Sequence, residues 1–542
     1  MKAKILTLIL IFYSVLLSKS YFVSPTGDNN NPGTYTLPWK TIGYALCGGN
    51  YNCGCTTVNP NTISAGDTLY LRSGLYDVSA EIANNKPLHF KNTGTEEQPI
   101  VIRNYPGEIP IIDGGYSGII FSLGAVNFNN FIIFDSLVIQ KGRVAGIIMG
   151  LAKKVNNIII RNCKIMDIQY HDNTGCVYLS NSWDKITVKN CYLKCRNPSG
   201  AVNVADIYVF KGNNNFEFTN NELDSSNYGI FIKHGVIGSG QDDPRKPIIK
   251  NNIIKNTKYG ISSVTDNLII QNNLLLNTPI LIFPGVGSDC IHMGGFHTLI
   301  DHNTIINSTI SLGCPLDCPE RGARFTTISN NVIVSNEKSI LNIWEYCNTD
   351  SIGSPVKVDY NLFYSTKTRP FTQYTGNTYT FQSWKLSLSS DAHSIFAAPI
   401  FQNTITYPLA SNSPGVQNTS DGTVMGVDVS KLGINPQLST TQYSTPIDKI
   451  HKRSFIKVIT DGKKIVIKLD NSVKESISAD NIDFLLYSLS GKTLKYLSIK
   501  FDSDSKEDGL TTTISPIPKG AYILEARVAN IKLSTLRIMQ LY

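Results

Sequence analysis

Residues 214–235 read Asn-Asn-Phe-Glu-Phe-Thr-Asn-Asn-Glu-Leu-Asp-Ser-Ser-Asn-Tyr-Gly-Ile-Phe-Ile-Lys-His-Gly. The hexad Phe218-Thr-Asn-Asn-Glu-Leu223 inside this stretch has counterparts on both sides. They are Ile160-Arg-Asn-Cys-Lys-Ile165, Val188-Lys-Asn-Cys-Tyr-Leu193, Ile249-Lys-Asn-Asn-Ile-Ile254, Ile270-Gln-Asn-Asn-Leu-Leu275, Ile300-Asp-His-Asn-Thr-Ile305, Ile328-Ser-Asn-Asn-Val-Ile333 and Val358-Asp-Tyr-Asn-Leu-Phe363. Successive units lie 28, 30, 31, 21, 30, 28 and 30 residues apart. A repeat of that length, made of strand-like pieces with no helical spacing between them, is the signature of a solenoid. Asn suits the corner between two strands because it tolerates the left-handed region, and stacked amides can hydrogen-bond from coil to coil. Cys163 and Cys191 share one column of successive coils, where strands are about 4.8 Å apart. A disulfide and a stack of buried thiols both fit that spacing.

A second strand follows each corner, as in Gly146-Ile-Ile-Met149, Gly200-Ala-Val-Asn203, Gly229-Ile-Phe-Ile-Lys233, Gly260-Ile-Ser-Ser263 and Cys290-Ile-His-Met293. Period-two alternation puts Ile230 and Ile232 inside and Phe231 and Lys233 outside. Residues 235–247 form a long loop after that strand, and 278–287 one before the strand at Cys290. Insertions on one edge of a regular coil are where a substrate cleft would be built.

The chain has 542 residues, 42% hydrophobic and 17% charged. Asn, Ile, Ser, Thr and Gly crowd it, which indicates turn-rich β structure. A net charge of +8 is mild for this length and suits an acidic partner. No Lys/Arg run resembles a nucleic-acid arm, so no nucleic acid is expected. Met1-Lys-Ala-Lys4, the apolar run Ile5–Leu17 and Ser18-Lys-Ser20 read as a secretory signal over residues 1–20. No later run of 18 apolar residues occurs, so no integral membrane segment is expected. The expectation is a secreted or cell-surface monomer. An odd count of 11 cysteines leaves at least one outside any intrachain disulfide. At Cys53-Gly-Cys55 and Cys314–Cys318 local disulfides are expected in preference to a metal.

Tyr21-Phe-Val-Ser-Pro-Thr-Gly-Asp28, Gly66-Asp-Thr-Leu-Tyr-Leu71 and Tyr105-Pro-Gly-Glu108 with Ile112-Asp-Gly114 resemble the opening of secreted right-handed parallel β-helix proteins, notably pectate, alginate and chondroitin lyases. The resemblance implies an N-terminal capping helix around Thr41–Leu46. The fold expected is all-β: a right-handed parallel β-helix over residues 21–435, with an irregular closing segment from 370. Residues 436–453 read as a polar linker and 454–542 as a small β-sandwich, from its alternating strands. In that last part Tyr487-Ser-Leu-Ser-Gly-Lys492 and Pro518-Lys-Gly-Ala-Tyr-Ile-Leu524 resemble a type IX secretion sorting domain.

The resemblance implies a polysaccharide lyase. Such an enzyme takes the proton α to a uronate carboxylate and expels the 4-linked sugar, so it needs a cation at the carboxylate and a base at the proton. Lys233, outward beside His234 and a long loop, is the candidate base. Acting at neutral pH would mean lowering its pKa from about 10.4 to about 7.5, a destabilisation of the ammonium by ~4 kcal/mol. Arg245, Lys246 or Ca²⁺ would supply that. His292 is placed two coils later on the same sheet, and Phe231 and Lys246 would contact substrate. Asp242, Asp243 and Asp289, with Asp266 near the same edge, would hold Ca²⁺. The alternatives are a non-catalytic carbohydrate-binding surface protein and a glycoside hydrolase. The hydrolase is disfavoured because Lys233-His-Gly235 precedes Gln241-Asp-Asp243, the reverse of the order in the polygalacturonases of this fold, and no Arg-Ile-Lys follows.

Overall fold

The computed structural model of the chain describes residues 18–47, 59–170, 172–196, 202–211, 215–234, 247–282, 295–313, 322–344, 356–373, 376–417, 419–434 and the strands between 456 and 539. They fall into two compact units, Met1–Thr441 and Gln442–Tyr542.

The first unit is a parallel β-helix of three 12-stranded sheets. One coil shows the plan. Phe216–Thr219 lies in the first sheet, Glu222–Asp224 in the second and Tyr228–His234 in the third. Each strand pairs in parallel with its counterpart one coil away, so like residues stack; the exception is Thr378–Tyr379, which ends the third sheet antiparallel to Phe371–Thr372. In the first sheet Ile160, Val188, Phe218, Ile249, Ile270 and Ile300 are successive register partners, all fully buried. Ile165, Leu193, Leu223, Ile254 and Leu275 do the same in the second sheet, and Val177, Ile207, Ile230, Ile261 and Ile280 in the third. Each buried aliphatic side chain contributes about 1.5–3 kcal/mol against exposure, which makes these three columns the main source of cohesion.

The two Asn of each corner divide the work that the sequence assigned to one. The first adopts the left-handed region, with φ of 57° at Asn220, 60° at Asn251 and 53° at Asn272. The second points inward and stacks. The backbone N–H and the amide Nδ2 of Asn221 both donate to Asn252 Oδ1, and Asn252, Asn273, Asn303 and Asn331 repeat this toward Asn361. Cys191 and Cys163 continue the column at its N-terminal side, and the stack of buried thiols is the arrangement found.

The six-residue helix Ile42–Cys47 is buried throughout and packs on the first strand of the third sheet, Leu88–His89. Beyond Asn361 the coil differs from expectation. Ile395–Phe396 still pairs in parallel with Leu362–Tyr364, and Phe381–Leu388 is a helix. Phe381, Trp384 and Leu388 share one face of it. Trp384 is buried and stacks on Phe371 at 5.2 Å, while Thr380 caps the start by accepting from Ser383 N–H. The chain then returns as a strap, residues 419–433, along the outer side of the Asn corners. Asn330 binds Ser420, Asn272 binds Asp428, and Asn220 donates to the carbonyls of Lys431 and Gly433.

The second unit contains two antiparallel sheets. Ile456–Asp461, Lys464–Leu469 and Leu510–Ile514 form one, and Asn481–Ser488, Thr493–Lys500, Ala521–Val528 and Ile531–Met539 the other. Among the described residues no helix is long and apolar enough to cross a membrane.

Candidate functional site

On the third sheet the side chains that alternate with the core columns face outward. Tyr178, Tyr208 and Phe231 are register partners in adjacent coils. Tyr178 and Tyr208 meet edge to face at 4.7 Å, Phe231 stacks on Tyr228 at 4.1 Å, and Tyr228 on Tyr259 at 4.8 Å. The Tyr208 hydroxyl donates to Asn173 Oδ1 at 2.8 Å. Burial, aided by Asp172, pushes the Tyr178 phenol up to about 12, so this phenol is neutral at physiological pH. Tyr208 is fully buried, while Tyr178, Tyr228, Phe231 and Tyr259 are half-buried and keep part of their flat apolar faces accessible.

Lys233 follows Phe231 by two residues on the same strand. Ile232 pairs with Val209, but the next pair is His234 with Phe210, so Lys233 is the extra residue of a β-bulge. Its side chain is half-buried. A bulge bends the strand and re-aims the side chain it carries. Ile230 and Ile232 are fully buried and Phe231 is half-buried, as the alternation requires. Residues 235–247, 283–298, 313–326 and 344–356 all follow third-sheet strands, so the long connections leave one edge of this sheet. The corner between the first and second sheets takes two residues, as at Asn220-Asn221.

Of the other candidates, His234 closes the strand, and Asp242, Asp243, Arg245, Lys246, Asp289 and His292 lie outside the described residues. The third-sheet strand of the coil two beyond Lys233 is Ile280–Ile282, paired between Tyr259–Ser263 and Ile310–Leu312. Leu281 takes the outward position of that strand. Asp266 is buried and accepts from the backbone N–H groups of Gly295 and Phe296 at 2.8 and 3.0 Å, anchoring the chain where a long connection returns. Among the described residues one group of His, Cys, Asp or Glu comes close enough to share a metal: Cys176, Cys195 and Asp206, all buried. Two sulfurs do not suit a cation that wants six to eight oxygens, so this cluster does not fit Ca²⁺.

Two polar constellations were not anticipated. His302 stands where most coils have the first Asn, and it keeps the left-handed turn at φ 52°. Its Nδ1 lies 2.7 Å from Asp301 Oδ2 and its Nε2 2.7 Å from Thr423 Oγ1 on the strap. Burial opposes ionisation of Asp301, but hydrogen bonds from His302 and Gln271 hold its carboxyl below the usual range. Here the strap roofs a cleft of about 500 Å³ lined by Lys250, Gln271, His302, Asp421, Thr423 and Lys431. The second constellation is on the second sheet. Lys164 is 5% exposed, its ammonium lies 5.4 Å from the Tyr192 ring centroid, and burial lowers its pKa. The signal for His302 was its departure from the Asn column; nothing in the sequence marks Lys164.

No family model matches the chain. Among curated proteins, pectate lyase PEL9 of Emericella nidulans is 31% identical over 102 residues, which is 19% of this chain and 20% of that protein. The uncharacterized protein YwoF of Bacillus subtilis is 30% identical over 93 residues, 17% of this chain and 15% of that protein. The chain thus spans a fifth or less of the length of these curated relatives. Among solved structures, pectate lyase Pel9A aligns with a TM-score of 0.44 at 13% identity, over 74% of this chain and 92% of that one. A mannuronic acid-specific polysaccharide family 6 lyase from human gut microbiota aligns with a TM-score of 0.35 at 15% identity, over 64% and 87%. Polysaccharide lyases are thus among the proteins that this parallel β-helix is similar to.

Proposed function

We propose that the protein is a secreted polysaccharide lyase that cleaves a uronate-containing, acidic glycan by β-elimination at the outer edge of the third sheet. The observation that carries this reading is Lys233 on a β-bulge two residues after Phe231, beside the edge from which the long connections leave. In this reading Lys233 takes the proton α to the carboxylate, and His234 and His292 serve proton transfer to the leaving oxygen. Phe231 and Lys246 hold the sugar. Arg245 neutralises the carboxylate, a task that Ca²⁺ held by Asp242, Asp243 and Asp289 would share. Residues 1–20 direct export and 454–542 act as a sorting domain. The similarity to a pectate lyase over a short stretch of sequence agrees with this reading.

The test is absorbance at the unsaturated-uronate band during incubation with pectate, alginate and chondroitin, with and without chelator. Unsaturated product supports the lyase. Reducing ends without unsaturation would indicate a hydrolase, and binding without product a non-catalytic surface protein.

A further inference from the structure

We propose that Cys176 and Cys195 are a disulfide-forming pair that locks one corner of the β-helix from inside when the chain folds under oxidising conditions. Cys176 belongs to the third-sheet strand Asp172–Leu179, and Cys195 ends the second-sheet strand Tyr192–Cys195. They belong to consecutive coils, and their sulfurs are 3.2 Å apart with neither residue exposed. A bond of about 2.05 Å needs the sulfurs to approach by about 1 Å, within reach of small side-chain rotations. The other buried pair behaves differently. Cys163 and Cys191 sit at successive corners and each donates two residues back, to the carbonyls of Arg161 and Lys189, both at 3.2 Å, in the manner of the Asn column they extend.

Two features hold the pair in place. Asp206 Oδ1 accepts the Cys195 backbone N–H at 2.8 Å, which pins the end of the second-sheet strand. The corner is also tight. At Gly146, on the adjacent third-sheet strand, a Cβ would come within 2.6 Å of Ile165 Cγ2 and 2.9 Å of the Cys176 carbonyl. A metal is the weaker occupant, since two sulfurs and one carboxylate leave the fourth position of a tetrahedral site unfilled in a closed, dry corner.

Burial raises both thiols in the folded protein, and thiols are poor nucleophiles. The chemistry therefore belongs to the moment before the corner closes. One thiol gives its proton to solvent, and the thiolate attacks an external disulfide, such as oxidised glutathione or an oxidoreductase. The external S–S bond breaks, a mixed disulfide forms, and the leaving thiolate is protonated. The second cysteine, deprotonated in turn, attacks the mixed disulfide and expels the other external thiolate. Two protein thiols are oxidised to one disulfide, and one external disulfide is reduced to two thiols.

The full chain, exported to an oxidising compartment or refolded with oxidised glutathione, would be denatured in an alkylating agent and digested without reductant. The expected result is one species joining the Cys176 and Cys195 peptides, two hydrogens lighter than their sum, with Cys163 and Cys191 recovered alkylated. Recovery of Cys176 and Cys195 as separate alkylated peptides, with or without bound zinc, overturns the proposal. A second readout compares melting with and without reductant in the wild type and the double variant C176A/C195A. The drop on reduction should be smaller in the variant; equal drops overturn the locking role.

Discussion

Asn221 presents two donors to a single atom of Asn252: its backbone N–H reaches Asn252 Oδ1 at 2.9 Å and its side-chain Nδ2 reaches the same oxygen at 3.0 Å. Asn252 Nδ2 in turn donates to Phe218 O and Asn273 Oδ1, both at 2.9 Å. All of these groups are buried. Asn252→Ala strands both Asn221 donors, and each unsatisfied buried group is worth about 1–3 kcal/mol. We expect a loss of about 3–5 kcal/mol, read as a lower urea midpoint at constant m. Asn252→Asp keeps an acceptor but buries a carboxylate against Asn273 Oδ1, and it should be no better tolerated.

Lys233→Ala should lower activity on the responsive glycan by about 10²–10⁴-fold, the range for loss of a general base, with melting unchanged. Lys164→Met is the control, because burial lowers the pKa of Lys164 on a different sheet. Full activity in Lys164→Met with loss in Lys233→Ala assigns the base to the third sheet. The opposite pattern moves it to the second.

Burial raises the Asp391 carboxyl to about 7, against opposing hydrogen bonds from Ser394 and Trp384. The folded state therefore holds this proton more tightly than the unfolded state does. The resulting stability is fully present below about pH 4 and is lost as pH rises through about 7, on the order of 4 kcal/mol in all. Asp135 and Asp301 are depressed and act in the opposite sense at low pH. Asp391→Asn isolates the effect: the wild-type minus variant difference in unfolding free energy should fall from pH 4 to pH 7 and then level off. A difference that is flat with pH would show that Asp391 titrates normally.

His302→Asn should keep the left-handed corner but lose the contact to Thr423. We expect faster proteolytic cleavage within residues 419–433 and a change in global stability below about 1 kcal/mol, as for a substitution outside the core. Unchanged cleavage would mean that Asn220, Asn272 and Asn330 hold the strap without His302.

The coil was legible because one corner chemistry recurs every two to three dozen residues, and few side chains besides Asn combine a left-handed backbone with an amide that can stack. The strand at Ile280–Ile282 was missed because three apolar residues beside a long connection carry less signal than Cys290-Ile-His-Met293. The helix Phe381–Leu388 makes barely two turns, too short for its period to stand out. The joint of His302 with Thr423 spans 121 residues, a distance over which sequence spacing is silent. The candidate site shows the same limit. Phe231 and the bulged Lys233 lie on a periodic strand whose facing could be read, whereas Asp242, Asp243, Arg245, Lys246, Asp289 and His292 lie on connections that obey no period.

The direction of the Asn column has a kinetic consequence. Every oxygen in it accepts from the coil before, so the donors of each corner wait for the coil after. A chain emerging from its N-terminus would therefore carry one waiting corner at its growing end, whatever number of coils stood behind it. The wait ends at Asn361, whose N–H finds Ser394 Oγ at 3.0 Å, while Ser394 turns its own proton to Asp391 at 2.6 Å. A half-made coil and a nearly complete one thus present the same open end, and the arrival of Ser394 is what tells a finished molecule from an unfinished one.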